Sequence, residues 1–400
     1  MTGLGAICAL GHTVREVWAA MREGRSGIGP IESVDVSRLR FTNGAEVRGY
    51  EPARHFEPNR LDLLDRFAQF AVVAAREALA DAGIVLTPEL GERTAIVTGS
   101  CVGGQTTEDA GFADLYGAGS GRVHPLSIPR IMANAGASWI STEMGATGPS
   151  FTVSTACASA SHAIGLAFWL LRNHAADLAL AGGSEAPFSL GHLKAWEAMR
   201  VVAPDTCRPF SVDRRGMILG EGGAMLVLEP LETARARGAR VLAELLGFGM
   251  SSDAHHATQP NALGPVRAMR AALADASLAP EQVGYVNAHG TGTLANDPME
   301  ARAIREVFGA HASRLAVSST KSMHGHALGA AGAIEAVATV LALSEGVLPP
   351  TANFTAADPE CDLDVVPLRA RPAWIEAALS NSFAFGGMNA VLAFGAPGRG

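Results

Sequence analysis

The chain lacks the features that mark several classes of protein. It has no excess of positive charge, since 31 Lys and Arg stand against 39 Asp and Glu for a formal charge of -8. Binding to nucleic acid or to an anionic membrane needs a basic face that releases counterions, so this balance fits neither class. No Cys-x-x-Cys pair occurs, and the five cysteines (Cys8, Cys101, Cys157, Cys207, Cys361) are scattered and odd in number. That spacing argues against a disulfide framework and a zinc site, and it suits a reducing cytoplasm. Long apolar runs are missing too. The stretch "AIGLAFWLL" at 163–171 falls well short of the roughly 20 residues that cross a bilayer, so no membrane span is expected. Nor does a charged leader with an apolar core follow Met1-Thr2-Gly3, so no export signal is expected.

What is present is enough apolar material for a large core. With 400 residues, 48% hydrophobic and 18% charged, the chain predicts two domains or one large α/β unit. Apolar residues recur at helical spacing over 66–82, where Gly83 ends the pattern, and again over 265–276 and 299–308. Between them lie short apolar stretches bounded by glycine or polar turns: "TAIVTG" (94–99), "LALAGG" (178–183), "GAMLVLE" (223–229), "YVNAHG" (285–290), "LAVSST" (315–320) and "AVLAFG" (390–395). Strands alternating with helices predict α/β layers. The chain also echoes itself. "STACASASHAIG" (154–165) resembles "STKSMHGHALGAAG" (319–332), and "GEGGAMLVLEP" (220–230) resembles "FGGMNAVLAFG" (385–395). The echo is short and gapped, but it suggests two similar halves joined near 235–240, with both strand-to-helix turns converging.

Cys157 stands where a strand pattern gives way to a helical one, in "TVSTACASASHAIG". Taken alone, a cysteine among small residues reads as a core side chain. At a helix N-terminus, unpaired N–H groups would instead favour its thiolate and make it a nucleophile. Its company favours the second reading. "NAHGTGT" (287–293) ends an apolar strand with His289, where a carboxyl-end crevice of an α/β sheet would form. "STKSMHGHALG" brings Lys321, His324 and His326 to the mouth of the helix that echoes the cysteine's own. No acidic or thiol ligand stands near His324 and His326 at metal-site spacing, so no metal is expected.

Four stretches in fixed order, Ser154-Thr155-Ala156-Cys157, Asn287 to Thr293, Ser319 to His326 and Asn381-Ser382-Phe383-Ala384-Phe385-Gly386-Gly387, resemble the β-ketoacyl-acyl carrier protein synthases of the elongating type II class. The likeness covers essentially the whole chain. "APDTCRPFSVDRRGMILGEG" and "PPTANF" point, within that class, to the nodulation protein E type. The resemblance implies a thiolase fold, a duplicated five-layer α-β-α-β-α sandwich, with 1–238 carrying the nucleophile and 239–400 the two histidines. It implies that Cys157 takes the acyl chain as a thioester, while His289 and His326 hold a malonyl thioester and support loss of its carboxylate. Lys321 and Glu335 would order the histidines. The backbone N–H groups of Cys157 and Phe385 would form an oxyanion hole, with Phe383 and Gly386 in the gating loop. Thr291 and Thr293 would grip the pantetheine arm, and Val102 would floor the acyl pocket and deepen it. No cofactor is implied. The implied partners are acyl- and malonyl-loaded acyl carrier protein and a second subunit, identical or related. The second cysteine of degradative thiolases has no counterpart in "FAFGGMN". A specialised polyketide or aryl-polyene ketosynthase, or a non-catalytic chain-length subunit, is the alternative reading.

The chain departs from the family in three places. It starts at Met1-Thr2-Gly3-Leu4-Gly5, which predicts that most of the first strand is missing. Ala384 and Met388 replace a glycine and a threonine in the gating loop, so gating is expected to differ. The usual carrier-protein dock is replaced by "NRLDLLDR", where Arg60 and Arg66 sit among Asp62 and Asp65, and Arg122, Arg200, Arg214 and Arg215 are candidates to complete a basic patch.

Overall fold

The computed structural model describes residues 1–117 and 121–398. Ten strands form two five-stranded sheets. In the first, β1 (Gly3–Cys8), β2 (Thr94–Gly99), β3 (Ser150–Val153), β4 (Leu178–Glu185) and β5 (Gly222–Leu228) lie in the order β1-β5-β4-β2-β3. In the second, β6 (Glu244–Ser252), β7 (Val283–Asn287), β8 (Ala316–Ser318), β9 (Ala377–Ala384) and β10 (Met388–Gly395) lie in the order β8-β7-β9-β10-β6. Read from β6, the second sheet repeats the first. Each runs first, fifth, fourth, second, third strand, with two antiparallel pairings followed by two parallel ones. The short echo in the sequence is therefore a duplication of the whole fold.

Seven helices place the layers: α1 (Arg66–Ala82), α2 (Gln105–Gly117), α3 (Ser159–Arg172), α4 (Leu190–Met199), α5 (Leu263–Asp275), α6 (Asn296–Phe308) and α7 (Ala331–Glu345). Helix α1 covers the outer face of the first sheet, and α5 covers that of the second. Between the sheets, α3 and α7 pack on each other and on both sheets, which completes the five layers of a thiolase fold. The ends of α1 follow from its sequence. The Asp65 carboxylate caps the Phe67 N–H at 3.1 Å, and Gly83 closes the helix at φ +64°. The inner face of α1 lies so close to β1 that a Cβ on Gly5 would fall 1.9 Å from the Ala74 carbonyl oxygen. The stretch Leu328–Glu345 is long and apolar enough to cross a membrane by composition, but 89% of it is buried in the middle layer. Its apolarity is that of a core helix touched on every side.

Two expectations need correction. The first strand is not missing: β1 pairs antiparallel with Gly222–Val227 along all six residues. Arg214 does not belong to a docking patch, and Arg66, with 30% of its side chain exposed, is anchored from beneath by a buried carboxylate. Arg66 gives its Nε and Nη2 to the Glu221 carboxylate at 2.9 and 2.7 Å, and Glu221 is 2% exposed. Its guanidinium also lies over the rings of Phe70 and Tyr50. Arg214 is buried against Asp358. In both cases a carboxylate in the interior needs the cation, and that need draws the arginine inward. Arg66→Ala, which strands the Glu221 carboxylate, is expected to lower stability by about 3 kcal/mol; the shift in urea midpoint measures it.

Candidate active site

Cys157 lies in the turn between β3 and α3, and two features hold that turn. Ala156 adopts φ +49°, a left-handed conformation uncommon outside glycine. The Ser159 hydroxyl accepts from the Thr155 N–H at 2.9 Å and donates to the Ala156 carbonyl at 2.6 Å. Cys157 is 7% exposed, and its own N–H and that of Phe385 are directed to the sulfur. Burial pushes the thiol up to about 11, against the pull of Lys321 and those two amides. The expectation of a resting thiolate at a helix terminus is thus reversed: desolvation of the sulfur outweighs the amides and the lysine.

His289 stands just beyond the carboxyl end of β7. The N–H groups of His289 and Gly290 bond to the two oxygens of Glu300 on α6 at 2.8 and 2.7 Å, which clamps the loop. The His289 Nδ1 meets the Lys321 Nζ at 3.3 Å. Lys321 is itself ion-paired with Glu335, and both side chains are fully buried. Burial raises Glu335 to about 7 against the attraction of Lys321. His326 follows β8, the strand that answers β3 in the duplication. Its N–H donates to the Ile218 carbonyl at 2.6 Å, and its Nδ1 accepts from the Leu328 N–H at 3.3 Å. The two imidazoles stand nearly perpendicular, with ring centroids 5.4 Å apart. Burial, with Lys321 adding to it, holds both well below the ordinary histidine range, so both are neutral.

Cys157, His289 and His326 line one cavity of about 300 Å³, together with Thr291, Thr293, Phe383 and Phe385. The two threonine hydroxyls are 2.9 Å apart and face this space. Lys321 and Glu335 lie behind the histidines, outside the lining. Gly386, at φ +83°, turns the loop after Phe385, and its N–H is tied to the Ala257 carbonyl at 2.8 Å. Ala384 is extended (φ -109°, ψ 156°), a conformation open to any residue, so the replaced glycine leaves no strain here. His324 is apart from the site, bonded through Nε2 to the Thr320 hydroxyl at 3.0 Å. Val102 is not among the cavity-lining residues; its N–H goes to Glu185 at 3.3 Å. Arg200 and Arg215 are exposed at the cavity rim, while Arg60 and Arg122 are exposed elsewhere on the first half.

Three buried carboxylates brace the site without having been singled out in the sequence. Glu300 holds the His289 turn, and Asp297, one turn earlier on α6, accepts from Phe210 N–H at 2.8 Å and Gly292 N–H at 3.2 Å. Glu185 gathers the Ser100 hydroxyl (3.0 Å) and the N–H groups of Cys101 (2.6 Å), Val102 (3.3 Å) and Gly329 (3.0 Å). Their one sequence signal was acidic residues inside otherwise apolar stretches, "NDPMEA" and "LAGGSEA".

Comparison with known proteins gives the chain's relatives. Residues 1–234 match the family described as "Beta-ketoacyl synthase, N-terminal domain", and 242–355 match its C-terminal counterpart. The chain is 50% identical over 394 residues to nodulation protein E of Rhizobium sp. (strain N33), covering 98% of each. It is 43% identical to 3-oxoacyl-[acyl-carrier-protein] synthase 2 of Synechocystis sp. (strain ATCC 27184 / PCC 6803 / Kazusa) over 402 residues, covering 98% of this chain and 97% of the other. Among solved structures, the ishigamide ketosynthase/chain length factor superposes with a TM-score of 0.94 at 40% identity, covering 100% of this chain and 98% of that one.

Proposed function

Because the chain belongs to the β-ketoacyl synthase family, we propose that its cavity carries out a decarboxylating condensation between an acyl chain on Cys157 and a malonyl thioester, each delivered by acyl carrier protein. The observation that carries the assignment of roles is the way the two imidazoles are fixed. Each Nδ1 is occupied as an acceptor, by the Lys321 ammonium in His289 and by the Leu328 N–H in His326. The ring proton of each neutral imidazole therefore sits on Nε2, and two N–H donors stand in one cavity.

The reaction follows from those donors. The Cys157 sulfur attacks the acyl thioester, the carrier thiol leaves with the cysteine's proton, and the acyl group stays on Cys157. A malonyl thioester then enters with its carbonyl oxygen on the two Nε2–H groups. Its carbon–carboxylate bond breaks, carbon dioxide leaves, and the electron pair forms an enolate whose oxygen charge the imidazoles stabilise. Preset donors of this kind are each worth about 10²–10³ in rate. The enolate carbon attacks the acyl carbonyl, whose oxyanion meets the N–H groups of Cys157 and Phe385. Collapse expels the sulfur, which regains a proton. Thr291 and Thr293, which line the cavity, would bind the pantetheine arm, and the product would enter a fatty acid or polyketide chain. A second subunit, identical or related, and a cytoplasmic setting belong to the same reading.

Incubation with a panel of acyl carriers, followed by labelled malonyl carrier, tests it: a mass increment on Cys157 and then a product two carbons longer are expected. Carbon dioxide released without a longer product would overturn the condensing role. The pH dependence is a further test. Burial comes first for both rings and Lys321 second, with His326 adding to the effect on His289 and His324, behind the site, to that on His326, so both pKa values lie below the ordinary 6.5. The donors thus remain neutral on acidification, and carbon dioxide release should hold steady between about pH 8 and about pH 6. A fall centred near 6.5 would contradict the neutral assignment.

A further inference from the structure

Outside the catalytic groups, the cavity wall holds an aromatic pair whose arrangement has a consequence for acyl selection. Trp196, on α4, is 9% exposed and lines the cavity with Cys157 and Phe385. Its ring stacks on that of Phe385, with centroids 6.1 Å apart and planes 24° from parallel. The indole N–H, one helical turn from His192, donates to the His192 Nε2 at 2.8 Å. So the ring is fixed at its face and at its edge. Leu193, Met217, Leu219 and Leu328 pack into the same cluster and fill the space around the pair. The backbone on the far side is tied as well: the Gly191 N–H at the start of α4 bonds to Asp109 of α2 at 3.0 Å.

We infer that Trp196 is a positioning residue for Phe385, held in place by His192, and that this pair sets which acyl chains reach the Cys157 sulfur. Phe385 has two duties in this geometry. Its N–H is directed to the sulfur, and its ring forms the wall beside it. An indole stacked in offset against the phenyl occupies the space on that side, so it limits how far the phenyl can swing to admit a long chain. The histidine bond adds a directional restraint that a phenylalanine in place of Trp196 could not supply.

The inference rests on the acyl-transfer reading for the class of ligand, but its test does not need turnover. The full chain is treated with a short and a long N-alkyl iodoacetamide, and the rate of Cys157 alkylation is read by peptide mass. In Trp196→Ala the ratio of long-tail to short-tail reactivity should rise about tenfold, the scale of discrimination that a few methylenes earn in an apolar pocket. Trp196→Phe, which keeps a stacked ring and loses the tether, should raise it less. His192→Leu removes the same hydrogen bond and should match Trp196→Phe. An unchanged ratio in Trp196→Ala overturns the inference, as does an equal change for both reagents, which would mark a merely structural residue. Should Trp196→Ala fail to melt cooperatively, the agreement of the other two variants decides. If the wild-type chain alkylates as described but never condenses, the proposed reaction fails and the positioning role stands.

Discussion

Lys321→Met removes a fully buried cation and should cost the fold about 3–5 kcal/mol, because the Glu335 carboxylate is left inside without its partner. The methionine fills much of the same volume, so the loss reports the charge rather than a void. The size of the effect depends on pH in a defined direction. Burial already raises Glu335 to about 7 with the lysine present, and removal of the lysine raises it further. The carboxyl relieves the variant by taking up a proton wherever the pH lies below that folded value. Destabilisation relative to the parent chain therefore grows as pH rises through about 7, where the parent's Glu335 ionises while the variant's keeps its proton, and should be larger at pH 8 than at pH 6. Urea unfolding at the two pH values checks this. The double variant Lys321→Met/Glu335→Leu should recover most of the stability. It should not recover carbon dioxide release, because the His289 Nδ1 would still lack the ammonium that fixes its ring proton. Recovery of both would mean that the lysine serves the fold alone.

The largest catalytic effect is expected at the sulfur. Cys157→Ala should lower condensation by about 10⁶-fold, the scale seen when a covalent nucleophile is deleted, and abolish acyl loading. The imidazoles do not depend on the thiol for their position; they are held by Lys321, Leu328, Glu300 and the Ile218 carbonyl. Release of carbon dioxide from the malonyl thioester should accordingly persist in the variant. Loss of both activities together, in a chain that melts normally, would place Cys157 in the decarboxylating step as well and require a different mechanism.

Much of this architecture was legible in the sequence, for physical reasons that differ by element. The strand patterns at 94–99 and 178–183 were clear because they are buried on both faces and so almost wholly apolar, and α1 was clear because Asp65 and Gly83 punctuate it. The duplication showed only in two short echoes, since most of the correspondence between the halves lies in strand order rather than in side chains. The cysteine and histidines could be picked out because those residue types carry chemistry. The carboxylates beneath them could not. Glu185, Asp297 and Glu300 look like solvated charges until the fold surrounds them with backbone N–H groups, and Arg66 looked like a surface cation for the same reason. Nor does a one-dimensional pattern reveal that burial would outweigh the amides around the Cys157 thiol.

The repeated strand order carries an implication for how such a pocket is put together. One repeat furnishes the turn with the sulfur, while the other furnishes both turns with the ring nitrogens. Neither half of this chain therefore holds the complete cavity lining by itself. The two repeats side by side are the smallest working unit.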